Sequence, residues 1–310
     1  MCTRLGTTMN LDYNIWISGK DGQVERNEIT QLHDKLTALG NKVLVHSFQE
    51  IDAFISSNGG EFYYKNKLIQ PPQLVLLKNP VLSFPDFNVL RQLEAMGTIA
   101  INSADSTDIS RNKSRCGQVL MANQIPTPEM FTIQLNQNNT LDLIEKKLGF
   151  PCVIKVIIGS YGNGVILCKS RKEFEYIRDF MSGMWQGQFH TIIAQKFISS
   201  SNGMDVRVLV VGDRVLGGMK RIGTPGDFRS NIAQGGAGQL YSLTQETQEL
   251  CLKVVKTLDL KIAGIDLLFD DNNGFTICEV NPCPGFAGFE KSNSINVSEV
   301  ISSYCNGLIK

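Results

Sequence analysis

From Tyr13 the chain alternates short apolar runs with amphipathic ones: YNIWIS, then EITQLHDKLTALGN, then KVLVHSF. Runs of the first kind predict strands, and the spacing of three and four in the middle segment predicts a helix closed by Gly40-Asn41. A small hairpin is expected over GGEFYYKNKLI. The series then resumes with the strand QLVLLKN, the helix FNVLRQLEAMG and the strand TIAINS. This alternation predicts a parallel sheet with helices on its faces over about the first hundred residues. DSTDISRNKSRCGQVLMANQ follows as one helix ending before IPTP, near which a new unit begins.

The middle has another texture. FPCVIKVI, GVILCKS, HTIIAQKFI, DVRVLVVG and RVLGGMKRIG are strands joined by short turns, with the helix RKEFEYIRDFMSGM between the second and third. A long helix, TQETQELCLKVVKTLDL, precedes two more apolar runs. The expectation is an antiparallel sheet carrying helices, an α+β arrangement. Internal repeats and low-complexity tracts are absent from the sequence.

Composition narrows the functions. Among 310 residues, Lys plus Arg and Asp plus Glu stand at 30 each, which argues against a nucleic acid or an anionic membrane surface as partner. The eight cysteines are scattered without a CxxC pair, a pattern that predicts reduced thiols in a cytoplasmic protein. The opening MCTRLGTTMNLDYNIWISGKDG lacks the features of a signal peptide, and no run is apolar for long enough to cross a bilayer. Only His33, His46 and His190 are available, without paired spacing, so a zinc site or a hydrolytic triad has little material.

The last two apolar runs, GIDLLFDDNNGFTICEVNPCPG, contain the first candidate chemistry. Strand formers on either side of Asp, Asn and Gly predict an antiparallel hairpin. With a loop over Asp271–Gly274, Asp270 faces Phe275, and counting back sets Asp266 opposite Glu279, with Asn281 on the same face. Opposed carboxylates repel, so something positive belongs between them. Mg²⁺ fits, because it takes one or two carboxylates and leaves its other positions to water and phosphate. A hairpin with one wet face would carry the same residues.

A phosphate site would favour the metal. Lys155 precedes a loop containing Gly159, Ser160, Gly162 and Gly164. The loop joins strand to strand, unlike the Rossmann and P-loop motifs, which leaves a flap over a nucleotide or a generous hairpin turn. Gln195 and Lys196 interrupt an apolar strand whose edge could offer backbone groups to adenine, with Phe197 and Ile198 as apolar walls. Asp205 and Arg207 share one strand face, and Lys220, Arg221, Arg229, Ser230 and Asn231 follow closely.

In this order, Lys155, glycine loop, QKFI, DVRVLVVG, FRSN, GID and EVN, the chain resembles the RimK-like ATP-grasp ligases over nearly its whole length. The resemblance implies an N-terminal α/β domain over residues 1–106. A central ATP-grasp subdomain with the glycine-rich lid would span 107–187, and a C-terminal one with the metal hairpin 188–310. It implies a ligase that joins a carboxylate of an acidic acceptor (peptide, cofactor or small acid) to the amine of an amino acid, with L-glutamate the family's common choice. ATP would be split to ADP and phosphate through an acyl-phosphate. Lys113 and Lys155 would hold phosphates; Gln195, Lys196, Phe197, Ile198 and Asp205 would bind adenine and ribose. Arg221 would stabilise the transferring phosphoryl, and Arg207, Lys220, Arg229, Ser230 and Asn231 would line the junction of nucleotide and substrate. Asp266, Glu279 and Asn281 would bind Mg²⁺, two ions by family habit, with Mn²⁺ an alternative. A homo-oligomer is the family's usual state.

Two departures stand out. Many relatives have Glu where Lys196 stands, and Pro282-Cys283 replaces a small residue and Ser before Pro-Gly. The rival readings are a phosphotransferase on the same nucleotide site and a non-catalytic ATP-binding module.

Overall fold

A computed structural model describes residues 12–19, 23–79, 82–135, 140–159, 162–184, 191–230, 236–271 and 274–309, without the side chains of 23–26 and 184. By contacts the chain forms two units. One takes the chain as far as Thr107, Leu260–Ile262 and everything from Cys283; the other takes Asp108–Asp259 and Ala263–Pro282.

The first unit opens with β1 (Ile15–Gly19), α1 (Gln23–Ala38) and β2 (Val43–His46). β3 (Ile51–Ser56), β4 (Gly59–Tyr64), β5 (Lys67–Ile69), β6 (Leu74–Lys78), α2 (Phe84–Ala95) and β7 (Ile99–Ile101) follow. β2-β1-β6-β7 form the expected parallel sheet. β1 and β6 are buried at every position, as strands covered on both faces must be, and this is why they read as unbroken apolar runs. The small hairpin is instead a three-stranded sheet, β3-β4-β5. Lys65 and Asn66 turn β4 into β5 with φ of 51° and 61°, the conformation a two-residue hairpin loop requires. β3 carries no signal in the sequence because only Ile51 of its six residues is buried.

The single helix expected after β7 is two, α3 (Ala104–Arg111) and α4 (Lys113–Ala122). Asn112 breaks it: its backbone is extended, and its side chain caps α4 by accepting from Arg115 N at 3.0 Å. Asn competes with helix backbone in this way, so it favours a cap over an interior position. The break makes Lys113 the first residue of a helix.

The second unit continues with β8 (Met130–Gln134), α5 (Thr140–Lys147), β9 (Cys152–Val156), β10 (Val165–Cys168), α6 (Arg171–Met184) and β11 (Thr191–Lys196). Then come β12 (Met204–Val211), β13 (Arg214–Ile222), β14 (Ala237–Tyr241), α7 (Gln245–Thr257), β15 (Ile262–Phe269) and β16 (Phe275–Asn281). They build a four-stranded sheet, β10-β9-β11-β8, and a five-stranded one, β14-β13-β12-β15-β16. A boundary at 187/188 would hand β11 to the second sheet. It joins the first because Ile192, Ile193 and Ala194 are buried between β9 and β8.

After β16 the chain returns to the first unit as α8 (Ala287–Asn293) and α9 (Val297–Leu308), the latter packed on α1. A buried ion pair ties this return down. Lys78 Nζ lies 2.8 Å from Glu28 Oε2 and 2.9 Å from the Pro284 carbonyl, while Glu28 Oε1 accepts from Phe286 N at 2.6 Å and Ala287 N at 2.8 Å. With every partner supplied inside the unit, both charges tolerate burial. Residues 283–310 therefore do not continue the C-terminal subdomain in which the sequence placed them.

Candidate active site

The β15–β16 hairpin pairs Asp266 with Glu279 as expected, but by a different count. The ladder closes one step earlier than expected, with Phe269 opposite Phe275, because Asp270 spans the loop: its Oδ1 accepts from Gly274 N at 2.7 Å. A bulge after Asp266 then leaves Cys278 as the extra residue and restores the pairing. Such a bulge re-aims side chains. Here Cys278 and Glu279 both line one cleft while Ile277 and Val280 stay in the core.

On that same face of the five-stranded sheet, arginines of β13 and β12 are set against carboxylates of β12 and β15. Arg221 on β13 lies directly opposite Asp205 on β12 and binds it through two bonds, Nε to Oδ1 at 2.7 Å and Nη2 to Oδ2 at 2.5 Å. Its Nη2 also lies 2.9 Å from Asp266 Oδ2. Arg207 holds both oxygens of Asp266 at 2.7 Å. Burial pushes the Asp266 carboxyl up, but the Arg207 and Arg221 guanidiniums outweigh it and bring the pKa down to about 2. Burial would likewise lower Arg221, and its two carboxylates raise it instead. Asn281 Nδ2 reaches Asp266 Oδ2 at 3.5 Å.

Three further cations converge. Lys113, at the start of α4, lies 3.0 Å from Glu279 Oε1 and donates to the Gly159 carbonyl at 3.1 Å. Arg229 chelates Asp227 and donates to the Gly162 carbonyl at 3.3 Å, so both residues hold the glycine loop between β9 and β10. Lys155 is 7% exposed and among the described residues meets only neutral partners, Gln195 Oε1 at 2.6 Å and Cys278 Sγ at 3.6 Å. A buried cation without a carboxylate is costly unless an anion completes it.

Two glycines shape the walls. Gly164 has φ of +70°, and a Cβ there would lie 2.7 Å from Val156 Cγ2. A Cβ on Gly223 would lie 2.1 Å from the Arg229 carbonyl oxygen, so only glycine lets the segment bearing Arg229 fold back against β13.

The resulting cleft has an empty volume of about 880 Å³, counting its open mouth. Lys113, Lys155, Lys196, Arg221 and Arg229 line it against Asp205, Asp266 and Glu279, five cations to three carboxylates. Gln195, Phe197, Ile198, Gly159, Gly162 and Ser230 line it too, and Phe197 meets Phe228 edge-on with ring centroids 6.4 Å apart. β11 is not a sheet edge, since β9 and β8 flank it. The cleft is lined instead where the chain leaves that strand, at Phe197 and Ile198. Lys196 donates its backbone N–H to the Glu129 carbonyl and pairs its side chain with Glu129 at 3.1 Å.

Other expectations fare differently. Lys220 is next to Arg221 on a strand, so it points to the opposite face, with its Nζ 5.6 Å from the Phe269 ring centroid; the structure does not bring it to the cleft. Asp205 faces the cleft with both oxygens bound by Arg221. Arg207 reaches the site through Asp266. Ser160 and Asn231 lie outside the described residues. Cys278 and Asp227 were not anticipated: no pattern marks a bulge residue, and Asp227 is legible only as the neighbour of Arg229.

Among the described residues no group of three or more His, Cys, Asp or Glu side chains could hold a metal by itself. The donors present still suit Mg²⁺: two opposed carboxylates that line a cation-rich cleft and, beside Asp266, an amide, all bearing hard oxygens. The positive charge that opposed carboxylates demand is supplied here by Arg207, Arg221 and Lys113.

A family model for the RimK-like ATP-grasp domain matches residues 110–305. The chain belongs to the RimK-like ATP-grasp family. It is therefore an enzyme of the ATP-dependent ligases that join a carboxylate to an amine and use Mg²⁺. The probable alpha-L-glutamate ligase 1 of Shewanella frigidimarina is 36% identical over 222 residues, 72% of each chain. The probable alpha-L-glutamate ligase of Stutzerimonas stutzeri is 32% identical over 266 residues, 86% of each. Among solved structures, ATP-grasp ligase PsnB complexed with a minimal precursor superposes with a TM-score of 0.75 at 18% identity, over 97% of this chain and all of that one. The D-alanyl-alanine synthetase A of Vibrio cholerae gives 0.70 at 13% identity, over 98% and 99%. At those identities the likeness is one of fold. No helix among the described residues is long and apolar enough to cross a membrane.

Proposed function

We propose that this RimK-like ligase adds L-glutamate, through its amine, to the carboxylate of an acidic peptide, cofactor or small acid, by way of an acyl-phosphate. The observation that carries the nucleotide side is Lys155, a buried cation without an acidic partner among the described residues, in a cleft lined by more cations than carboxylates. The relatives named as alpha-L-glutamate ligases support glutamate as the amine. Peptide-modifying neighbours of the same fold support an amino acid or peptide substrate.

In this reading Lys113 and Lys155 hold phosphate oxygens, and the chain at Phe197–Ile198 with Phe228 walls the adenine. The loop carrying Gly159, Gly162 and Gly164 closes over the phosphates, and Arg229 holds it from the substrate side. Arg221, fixed by Asp205, is aimed where charge develops as the γ-phosphoryl moves in line to the acceptor oxygen. A carboxylate is a poor electrophile; phosphate as leaving group lets the neutral amine attack. The lid keeps water from the acyl-phosphate. Asp266, Glu279 and Asn281 would hold Mg²⁺, one ion or two, with Mn²⁺ a substitute; the metal supplies charge neutralisation along the phosphates. Asp205 thereby becomes a positioning residue for Arg221 rather than a ribose ligand. We further infer a homo-oligomer working in the cytoplasm, three compact subdivisions in which β11 belongs with the lid sheet, and roles at the substrate junction for Arg207 through Asp266.

The test is mass spectrometry of products, with ADP and phosphate release, using Mg²⁺-ATP, glutamate and a panel of acidic acceptors. An acceptor heavier by one glutamyl residue, with stoichiometric phosphate, bears the proposal out. A phosphorylated product that persists in the presence of amines overturns it in favour of a phosphotransferase.

A further inference from the structure

The hairpin that carries the glycine loop holds two thiols face to face, away from the cleft. β9 and β10 pair antiparallel with Cys152 opposite Cys168, and both side chains are fully buried in the core of that sheet. Val156 N donates to the Gly164 carbonyl at 3.0 Å. Stepping two residues at a time from that bond makes Ile154 with Ile166, and Cys152 with Cys168, hydrogen-bonded pairs, whose Cα atoms lie about 5.5 Å apart. A disulfide accepts Cα separations of about 4.4–6.8 Å and needs Cβ atoms about 3.5–4.5 Å apart, so closing this one draws the two strands together at that step. Facing each other, the two thiols part in acidity: Cys168 opposite it raises Cys152 from the ordinary thiol value, and Cys152 lowers Cys168, whose Sγ also donates to the Ser170 carbonyl at 3.3 Å. One is thus the better nucleophile and the other remains a proton-bearing partner.

We propose that Cys152 and Cys168 form a reversible disulfide on exposure to hydroperoxide, and that this crosslink slows the ligase by stapling the base of its lid. The Cys168 thiolate attacks a peroxide oxygen; the O–O bond breaks, hydroxide leaves and takes a proton as water, and Cys168 becomes a sulfenic acid. The Cys152 sulfur, losing its proton, then attacks the sulfenic sulfur, forming S–S and releasing the second water. Two thiols and one hydrogen peroxide give one disulfide and two waters, so two electrons pass from sulfur to peroxide oxygen.

The position of the pair explains both access and effect. β10 is an edge strand of four residues with Ile166 exposed, and short exposed edges open locally well below the free energy of global unfolding. That opening bares Cys168. The same motion gives the loop between the strands its freedom, so the crosslink restrains the lid that must admit ATP and release ADP. Cys278, the thiol in the cleft, lacks these features: burial holds its pKa up, and its contact is Lys155.

The regulatory half rests on the reading of this loop as a lid, and the experiment separates the two. The reduced full chain is assayed for acceptor-dependent ATP turnover, treated with stoichiometric hydrogen peroxide, digested without reduction and mapped by mass spectrometry. The expected result is a linked pair of peptides containing Cys152 and Cys168, a loss of two hydrogens from the intact chain, and turnover down about fivefold, since lid motion commonly sets kcat. Dithiothreitol restores it. Cys152→Ala and Cys168→Ala, made singly in case one fails to fold, keep their turnover after peroxide. Free Cys152 and Cys168 after treatment, or equal loss of turnover in both variants, overturns the proposal. Linked peptides with unchanged turnover overturn the restraint of the lid, whereas an inactive reduced wild type that still forms the linked peptides overturns the proposed ligase activity and leaves the disulfide standing.

Discussion

Lys155 is the residue on which the nucleotide reading turns. Its ammonium is buried beside Gln195 and Cys278, and no carboxylate among the described residues neutralises it. Replacing it with Met keeps the stem's packing and removes the charge, so the protein should fold at least as stably while turnover at fixed Mg²⁺-ATP falls by about two orders of magnitude, as when an electrostatic donor is lost from a reaction centre. Steady-state kinetics beside a urea melt checks both halves. Glu279→Gln tests the hairpin in the complementary way. Lys113 loses an ionic partner at a partly exposed position, where an ion pair contributes little to stability, yet a hard-cation ligand disappears. We expect an unchanged melting curve and no detectable ligation. Full activity would refute the assignment of Glu279.

At the scale of elements, the helix break at Asn112 decides where Lys113 points. The cap bond to Arg115 N and the bond from Lys113 N to the Ile157 carbonyl at 3.1 Å set the first turn of α4 beside the glycine loop. Asn112→Ala should cost about 1 kcal/mol in stability and raise KM for ATP severalfold with kcat little changed, measurable by chemical denaturation and initial rates. The sequence did not reveal this break, because the apolar spacing on either side of Asn112 is continuous and only cap geometry tells a cap from an interior Asn. The alternation in the first hundred residues was legible, since β1 and β6 are buried throughout. The pairing of Asp266 with Glu279 was legible for a subtler reason. A loop closing one step early and a bulge at Cys278 cancel, so Asp266 still meets Glu279. Lys220 was misplaced because nearness in sequence says nothing about faces, and on a strand its neighbour Arg221 had to point the other way. The return of residues 283–310 to the first unit was illegible, because it depends on the long-range pairing of Glu28 and Lys78 with backbone at Pro284 and Phe286.

At the scale of the whole molecule, stability should depend on pH through the first unit more than through the reaction centre. His46 is 4% exposed, neither ring nitrogen makes a well-formed hydrogen bond among the described residues, and its ring meets Trp16 edge-on at 5.0 Å. Burial, countered only weakly by the Ser47 backbone and Glu50, brings its pKa down from 6.5 to about 4. Above pH 6.5 the imidazole is neutral in both folded and unfolded chains and contributes no slope. Between 6.5 and 4 the unfolded chain takes up a proton that the folded chain refuses, so stability falls as pH falls through that window, by about 3 kcal/mol in total. Below 4 the folded form protonates too and the dependence levels off. His46→Phe, which keeps an aromatic ring among Trp16, Phe48 and Tyr64, removes the titrating group. The difference between wild-type and variant urea midpoints, followed by far-UV circular dichroism from pH 7 to pH 4.5, should therefore widen steadily in the variant's favour as the pH is lowered. Parallel curves would mean that His46 is protonated in the folded chain as readily as in the unfolded one, and that its neighbours supply the hydrogen bonds the structure does not give it.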